Sequence, residues 1–316
     1  MDTKERNFDM RKLTGHDETA DVLLRNVKVL TATAPRLKQM MPANDAPLPS
    51  PDALQTIIDL LKRVIFHGFF DERKADREVR SYTIGVNLED AFTLLKQQIA
   101  RALIYKSPER DTADVKSEAK QLALGLIDSV PEIQRMLFSD VEAMFANDPA
   151  VDNYGEVIFS YPVVQAMISY RIAHRLLKMG VPVMPRIITE QAHSQTGIDI
   201  HPGAEIGEHF SIDHGTGVVI GETCIIGHHV TLYQGVTLGA RNFKLGGMTA
   251  EQEAARHPIL EDRVTIYSNS TVLGRVTIGH DTVIGGNVWV TNSLPPHTTL
   301  IQGKAISMDF TDGAGI

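Results

Sequence analysis

Asp199 and His214, fifteen residues apart in the segments DIHP and DHGTG, have the types and spacing for acid–base chemistry. A carboxylate against one imidazole nitrogen fixes the tautomer and raises the basicity of the ring, leaving the other nitrogen as general base. Four more groups suit an amino acid. Arg256 offers a planar fork that matches a carboxylate, and His257 beside it can donate a further hydrogen bond. Asp213 and the more distant Asp148 can pair with an ammonium. An isolated histidine is more often a corner residue hydrogen-bonded for structure, and an isolated charge is more often solvated. An aspartate one turn away and a segment ending in Arg256-His257 favour catalysis.

Fifteen residues make one turn only if the chain is wound. Ile200, Ile206 and Ile212 are six apart, and after a two-residue slip through 214–217 the count resumes at Ile220, Ile226, Leu232 and Leu238. It returns at Leu260, Ile266, Val272, Ile278, Ile284 and Val290, with glycine following at Gly207, Gly221, Gly227, Gly239, Gly279 and Gly285. A period of six is neither that of a helix nor that of a lone strand. It fits a triangular coil with three short sides per turn, each side pointing one aliphatic residue inward, the signature of a parallel β-helix. In that frame Ser268 and Gly286, eighteen apart, stack on one face and leave room for an extended ligand. Residues 240–258 break the phase and must leave the coil as a loop, and loops on a rigid frame are where chemistry sits.

The elements ahead of the coil read as helices. Residues 1–50 are charged and then Pro-rich, an N-terminal arm or linker. Residues 51–180 form an α-helical domain, with apolar stripes over 51–69, 86–105, 115–128, 130–146 and 160–179. Asp148-Pro149 and Gly180 with Pro182 are stops. Residues 181–302 make the β-helix domain, with 181–197 as a transition, and 303–316 a flexible tail. The fold class is thus α+β, all-α first and then a β-helix.

At 316 residues and net charge −8 the chain suits two domains and does not suit nucleic acid or an anionic membrane. The N-terminus has no apolar signal region and no run approaches the roughly 20 apolar residues of a membrane span. The single cysteine, Cys224, sits among isoleucines as an inert thiol and fits a reducing cytoplasm. A metal alternative rests on His209 and His214 with His228-His229, but zinc wants three converging imidazoles, so no metal is expected.

DIHPGAEIG, IDHGTGVVIGET, QGVTLG, RHP and PPHTT, with DPAVD before the last helix, resemble the serine O-acetyltransferases. The likeness covers residues from about 148 to 300. It implies a left-handed β-helix, a homotrimer or dimer of trimers with active sites between subunits, and acetyl transfer from acetyl-CoA to the hydroxyl of L-serine. O-acetyl-L-serine for cysteine biosynthesis is the product, and L-cysteine is a possible inhibitor. Carried over, His214 is the base and Asp199 its partner, Asp148 and Asp213 take the serine amino group, and Arg256 and His257 its carboxylate. Gly239, Ser268 and Gly286 fall in the CoA groove. The terminal Ile316 suggests a complex with O-acetylserine sulfhydrylase. Ala240, the long loop and IQGKAIS at 301–307 depart from the family pattern on the CoA side. Other readings are acetyl transfer to another amino acid or a sugar, a metal hydratase like the gamma-class carbonic anhydrases, or a non-catalytic scaffold for the sulfhydrylase.

Overall fold

The computed structural model describes residues 18–32, 42, 45–70, 77–241 and 255–303. Within the unit Met1–Asp45, the stretch expected to be an arm carries a helix, α1 (Glu18–Thr31). The second unit, Ala46–Ile316, holds everything else.

The helices start and stop where capping chemistry allows. α2 (Pro51–Ile65) opens with Ser50, whose hydroxyl accepts from Ala53 N–H at 3.3 Å, and Pro51 at the first helical turn needs no partner for a missing donor. Its buried face is Leu54, Ile57, Ile58, Leu61 and Ile65, the stripe legible in the sequence. α3 (Arg77–Lys106) begins well before the expected 86.

The two patterns expected at 115–128 and 130–146 are one helix, α4 (Thr112–Asn147), with Pro131 inside it. The apolar stripe keeps phase through the proline: Ala119, Leu126, Val130, Ile133, Leu137 and Val141 are all buried. Pro131 itself is exposed, so the hydrogen bond it removes from the helix lies away from the buried stripe. α5 (Tyr154–Ser160) is capped by Asn153, and α6 (Pro162–Lys178) follows after a single residue. The expected transition at 181–197 holds another helix, α7 (Met184–Thr196), ended by Gly197 at φ 72°.

From residue 199 the chain winds as a left-handed parallel β-helix of about four turns. One face stacks β1 (Asp199–Ile200), β4 (Val219–Ile220), β7 (Thr237–Gly239), β10 (Thr271–Leu273) and β13 (Trp289–Val290). The second stacks β2 (Glu205–Ile206), β5 (Ile225–Ile226), β8 (Ile259–Leu260) and β11 (Thr277–Ile278). The third stacks β3 (Ser211–Asp213), β6 (Thr231–Tyr233), β9 (Thr265–Ile266), β12 (Val283–Ile284) and β14 (Thr299–Leu300). Register puts each hexad residue on the next: Ile200 on Ile220 on Leu238 on Val272 on Val290. All thirteen hexad positions are buried, each worth roughly 1.5–3 kcal/mol, so a slip of one residue would forfeit the whole inner column.

Within the second unit, helices α2 to α7 and the coil share one core, and polar anchors fix their mutual position. Arg171 of α6 grips Asp140 of α4 with two 2.7 Å hydrogen bonds while donating to Gly207 O at 2.9 Å. Both side chains are at most 3% exposed, and burial pushes the Asp140 carboxyl upward. Asn147, the last residue of α4, donates to Ser211 Oγ at 2.8 Å and Thr231 Oγ1 at 3.0 Å. That contact delivers Asp148, the next residue, to the third face of the coil. The loop 240–258 falls mostly outside the described residues, as does the tail from 304 onward.

Candidate active site

The nine residues singled out in the sequence gather on two different edges of the triangular coil. The edge between the third and first faces carries Asp199, Asp213, His214, Ser268 and Gly286, with Asp148 brought to it by α4. The edge between the first and second faces carries Gly239, Arg256 and His257. The first face lies between them, about four residues wide at Val218–Gly221, on the order of 13 Å at ~3.3 Å per residue.

On the first of these edges, His214 turns the corner at φ 58° and leaves its ring 72% exposed. Its Nε2 lies 3.8 Å from Asp213 Oδ1. Asp199 sits one residue beyond the stacked corner: Gly217 N–H donates to Gly197 O at 2.9 Å, and a Cβ on Gly215 would lie 2.6 Å from Ile198 Cδ1. The backbone therefore brings Asp199 and His214 to one edge on adjacent turns. Their side chains make no hydrogen bond or ion pair with each other among the described residues; Asp213 is the carboxylate nearest the exposed ring.

Asp148 accepts from Ala150 N–H at 2.8 Å through Oδ1 and from the Tyr161 hydroxyl through Oδ2. The tyrosine hydroxyl, more than any charge, holds this carboxyl below its ordinary value. Tyr233 pairs with Asp213 in register and stacks its ring on Tyr267, centroids 4.7 Å apart and planes 19° off parallel. The hydroxyl-bearing face beside Asp213 thus continues as an aromatic wall to Ser268. Ser268 and Gly286 do stack: a Cβ on Gly286 would meet Ser268 O at 3.2 Å.

The second edge is more tightly built. His257 is 7% exposed, and its Nδ1 accepts the Thr223 N–H at 3.1 Å with Thr223 Oγ1 2.9 Å away. Because a backbone donor points at Nδ1, the proton belongs on Nε2, and the ring is a neutral donor. Burial first and the Arg256 charge second hold its pKa below the ordinary value. Thr223 Oγ1 in turn accepts from the N–H groups of Arg256 and His257, both at 3.0 Å, which locks the Arg256-His257 corner. Arg275 clasps it from outside, donating to Thr223 O at 2.6 Å and His257 O at 3.0 Å. His201, whose Nδ1 accepts Gly203 N–H at 3.0 Å, lies on the same edge. A carboxylate reaching this corner would find one guanidinium and one neutral N–H donor.

Sequence reasoning missed Tyr161, Thr223 and Arg275. Tyr161 fell inside the stripe expected over 160–179, and Thr223 inside the coil segment IDHGTGVVIGET; neither pattern names a partner for its side chain.

The histidines of the metal alternative do not converge. His209 stacks flat on His229, centroids 4.3 Å apart, at the corner between the second and third faces, and His214 is on another edge. Among the described residues one trio of ligating groups does meet, His280, Asp281 and His297. Arg263 already holds that carboxylate through two hydrogen bonds of 2.6 and 2.8 Å, and His280 Nδ1 lies 2.7 Å from its Oδ2, so its charge is already paired. Cys224 is 1% exposed and burial pushes its thiol up to about 12, which suits no nucleophile.

Comparison with known proteins agrees with this architecture. The profile of the bacterial transferase hexapeptide family (six repeats) matches residues 257–292. A serine acetyltransferase of Synechococcus elongatus is 44% identical over 278 residues, covering 85% of this chain and 86% of its own. The crystal structure of serine acetyltransferase isoform 3 from Entamoeba histolytica, in complex with cysteine, superposes with TM-score 0.69 at 28% identity, covering 92% of this chain and 95% of its own. A serine acetyltransferase solved in complex with CoA superposes with TM-score 0.50 at 26% identity, covering 79% and 96%.

Proposed function

The chain belongs to the serine acetyltransferase family, and from that premise we propose how its two half-sites carry out the reaction. The protein transfers acetyl from acetyl-CoA to the hydroxyl of L-serine, giving O-acetyl-L-serine. His214, oriented by Asp199, takes the proton from serine Oγ as that oxygen bonds to the thioester carbonyl carbon. The C–S bond then breaks, and the imidazolium returns the proton to the departing thiolate. The His214 side chain is 72% exposed, which leaves its ring room to turn toward Asp199 on the adjacent turn. Asp148 and Asp213 face the serine ammonium, Arg256 and His257 its carboxylate. The pantetheine arm lies along Ser268 and Gly286, with the Gly239 backbone closing it from the other side.

One observation carries this reading: the base and the carboxylate donors lie on opposite edges of one face. A single serine cannot span them. The site is therefore completed where the first edge of one copy meets the second edge of another, in a homotrimer. Pairing of trimers, cytoplasmic location, inhibition by L-cysteine, and docking of the tail ending in Ile316 into O-acetylserine sulfhydrylase belong to the same proposal. Ile316 itself lies outside the described residues. The lone buried Cys224 fits a reducing compartment.

Thiol release from acetyl-CoA is the assay. His214→Ala should lose roughly 10²–10⁴-fold with L-serine. His257→Ala should also be impaired, and mixing the two inactive variants during refolding should restore activity at about a quarter of the sites, because a cyclic trimer pairs intact halves from different copies. No recovery in mixed oligomers would remove the shared site. A panel of serine, homoserine and amino sugars decides the acceptor; preference for an acceptor without a carboxylate would contradict the role of Arg256 and His257.

A further inference from the structure

Tyr161 takes no part in the steps above, yet the fold spends several contacts on fixing it. It is the one residue between α5 and α6: its N–H donates to Val157 O at 3.2 Å to end α5, and Pro162 behind it opens α6. Proline restricts the residue before it to extended backbone, and Tyr161 stands at φ −81°, ψ 120°. Its side chain lines a cavity of about 260 Å³ with Lys62, Phe159 and Gln165, and its hydroxyl donates to Asp148 Oδ2. The other Asp148 oxygen is held by Ala150 N–H at 2.8 Å.

Each oxygen of Asp148 is therefore tied by one donor, which fixes the carboxylate plane and leaves the second lone pairs free. Asp148, Glu156 and Asp213 are the carboxylates that act on Tyr161, Lys62 lines the same cavity, and the cation facing Asp148 is His214 when protonated. Of these groups only Asp148 is hydrogen-bonded to the phenol, which donates to its Oδ2.

We propose that Tyr161 is a positioning residue for the acceptor's ammonium, clamping the Asp148 carboxylate so that its free lone pairs and those of Asp213 receive the N–H donors. This rests on the reading that Asp148 faces that ammonium. Supporting it, burial pushes the Tyr161 hydroxyl up to about 12, so it stays a donor across the working range. A freely rotating aspartate would meet the same cation with less directional control. Tyr161 thereby helps decide that the acceptor is an amino acid and not a simple hydroxy acid.

The test is Tyr161→Phe, which deletes one oxygen and keeps the ring that packs the junction. Two acceptors are compared: L-serine and 3-hydroxypropionate, which has the hydroxyl and carboxylate but no ammonium. The latter is followed as substrate or, if turnover is slow, as competitive inhibitor against serine. A hydrogen bond to a charged group predicts a roughly tenfold fall in kcat/KM for serine, mostly in KM. The KM for acetyl-CoA and the affinity for 3-hydroxypropionate should not move. An unchanged serine KM, or an equal loss with both acceptors, would overturn the proposal. In an Asp148→Asn background the added Tyr161→Phe should cost nothing further; additive losses would equally count against it. Absence of serine acetylation by the unaltered protein would instead defeat the underlying reading, so the two failures are distinguishable.

Discussion

Gly221→Ala is the substitution that most directly probes the second edge. A Cβ built there would lie 1.9 Å from His257 Cδ2 and 2.1 Å from its Nε2. Carbon atoms in contact rest about 3.5–4.0 Å apart, so the imidazole must retreat by roughly 1.5 Å or more. Its backbone cannot follow, because Thr223 Oγ1 and Arg275 hold the corner. The ring must swing instead, surrendering the 3.1 Å bond from Thr223 N–H that fixes its tautomer. A misplacement of about 1 Å at a catalytic or binding group costs up to ~10²-fold, so kcat/KM for serine should fall by one to two orders of magnitude. The measurement is initial-rate kinetics by thiol release. Gly85→Ala is the control: its Cβ meets nothing within 4 Å, and inside α3 alanine should be neutral or stabilise by about 0.5–1 kcal/mol. The decisive comparison is made in a His257→Ala background, where the clash no longer exists. There Gly221→Ala should cost almost nothing, since both changes remove one and the same group. Normal serine kinetics in the single variant, or a full loss persisting without the ring, would refute the reasoning.

Two further outcomes concern stability. Asp140→Asn strands the buried Arg171 charge and should cost about 3–5 kcal/mol in urea unfolding, whereas Asp140→Leu with Arg171→Met should recover most of it. His174, His201 and His257 are all held below their ordinary value of 6.5, burial being the first cause in each. The unfolded chain therefore takes up protons first as pH drops; the stabilisation from keeping these rings neutral is complete above 6.5 and is lost on descending through the folded values. The urea midpoint should accordingly decline as the pH is lowered through 6.5, and a flat profile would contradict the burial of these rings.

Much of this protein was legible before any coordinates. Its inner column has one residue per side and no alternative partner, so Ile200, Ile206 and their successors announce the coil by a local period. The helical stripe on α2 is equally local. Asp199, His214 and Arg256-His257 could be singled out because acid–base and carboxylate chemistry restrict the residue types. What a period cannot report is where one element runs into the next. The stripe of α4 carries through Pro131 because the proline happens to face solvent, and α7 lies where only a transition was expected.

The division of the site was decided by the tertiary structure alone. The slip at 214–217 and the break after Gly239 can be read from the sequence, but which side chains meet at each edge depends on Arg275 holding Thr223 and His257 and on Asn147 bonding Ser211 and Thr231, which carries Asp148 there. Those are contacts between residues far apart in the chain, and no composition or spacing encodes them singly. The same holds for Tyr161 on Asp148 and Thr223 on His257, pairs separated by 13 and 34 positions. Local periodicity is set by the backbone and the nearest neighbours, which the sequence displays directly. The meeting of distant side chains is set by how the whole core packs, and only the folded chain computes that sum.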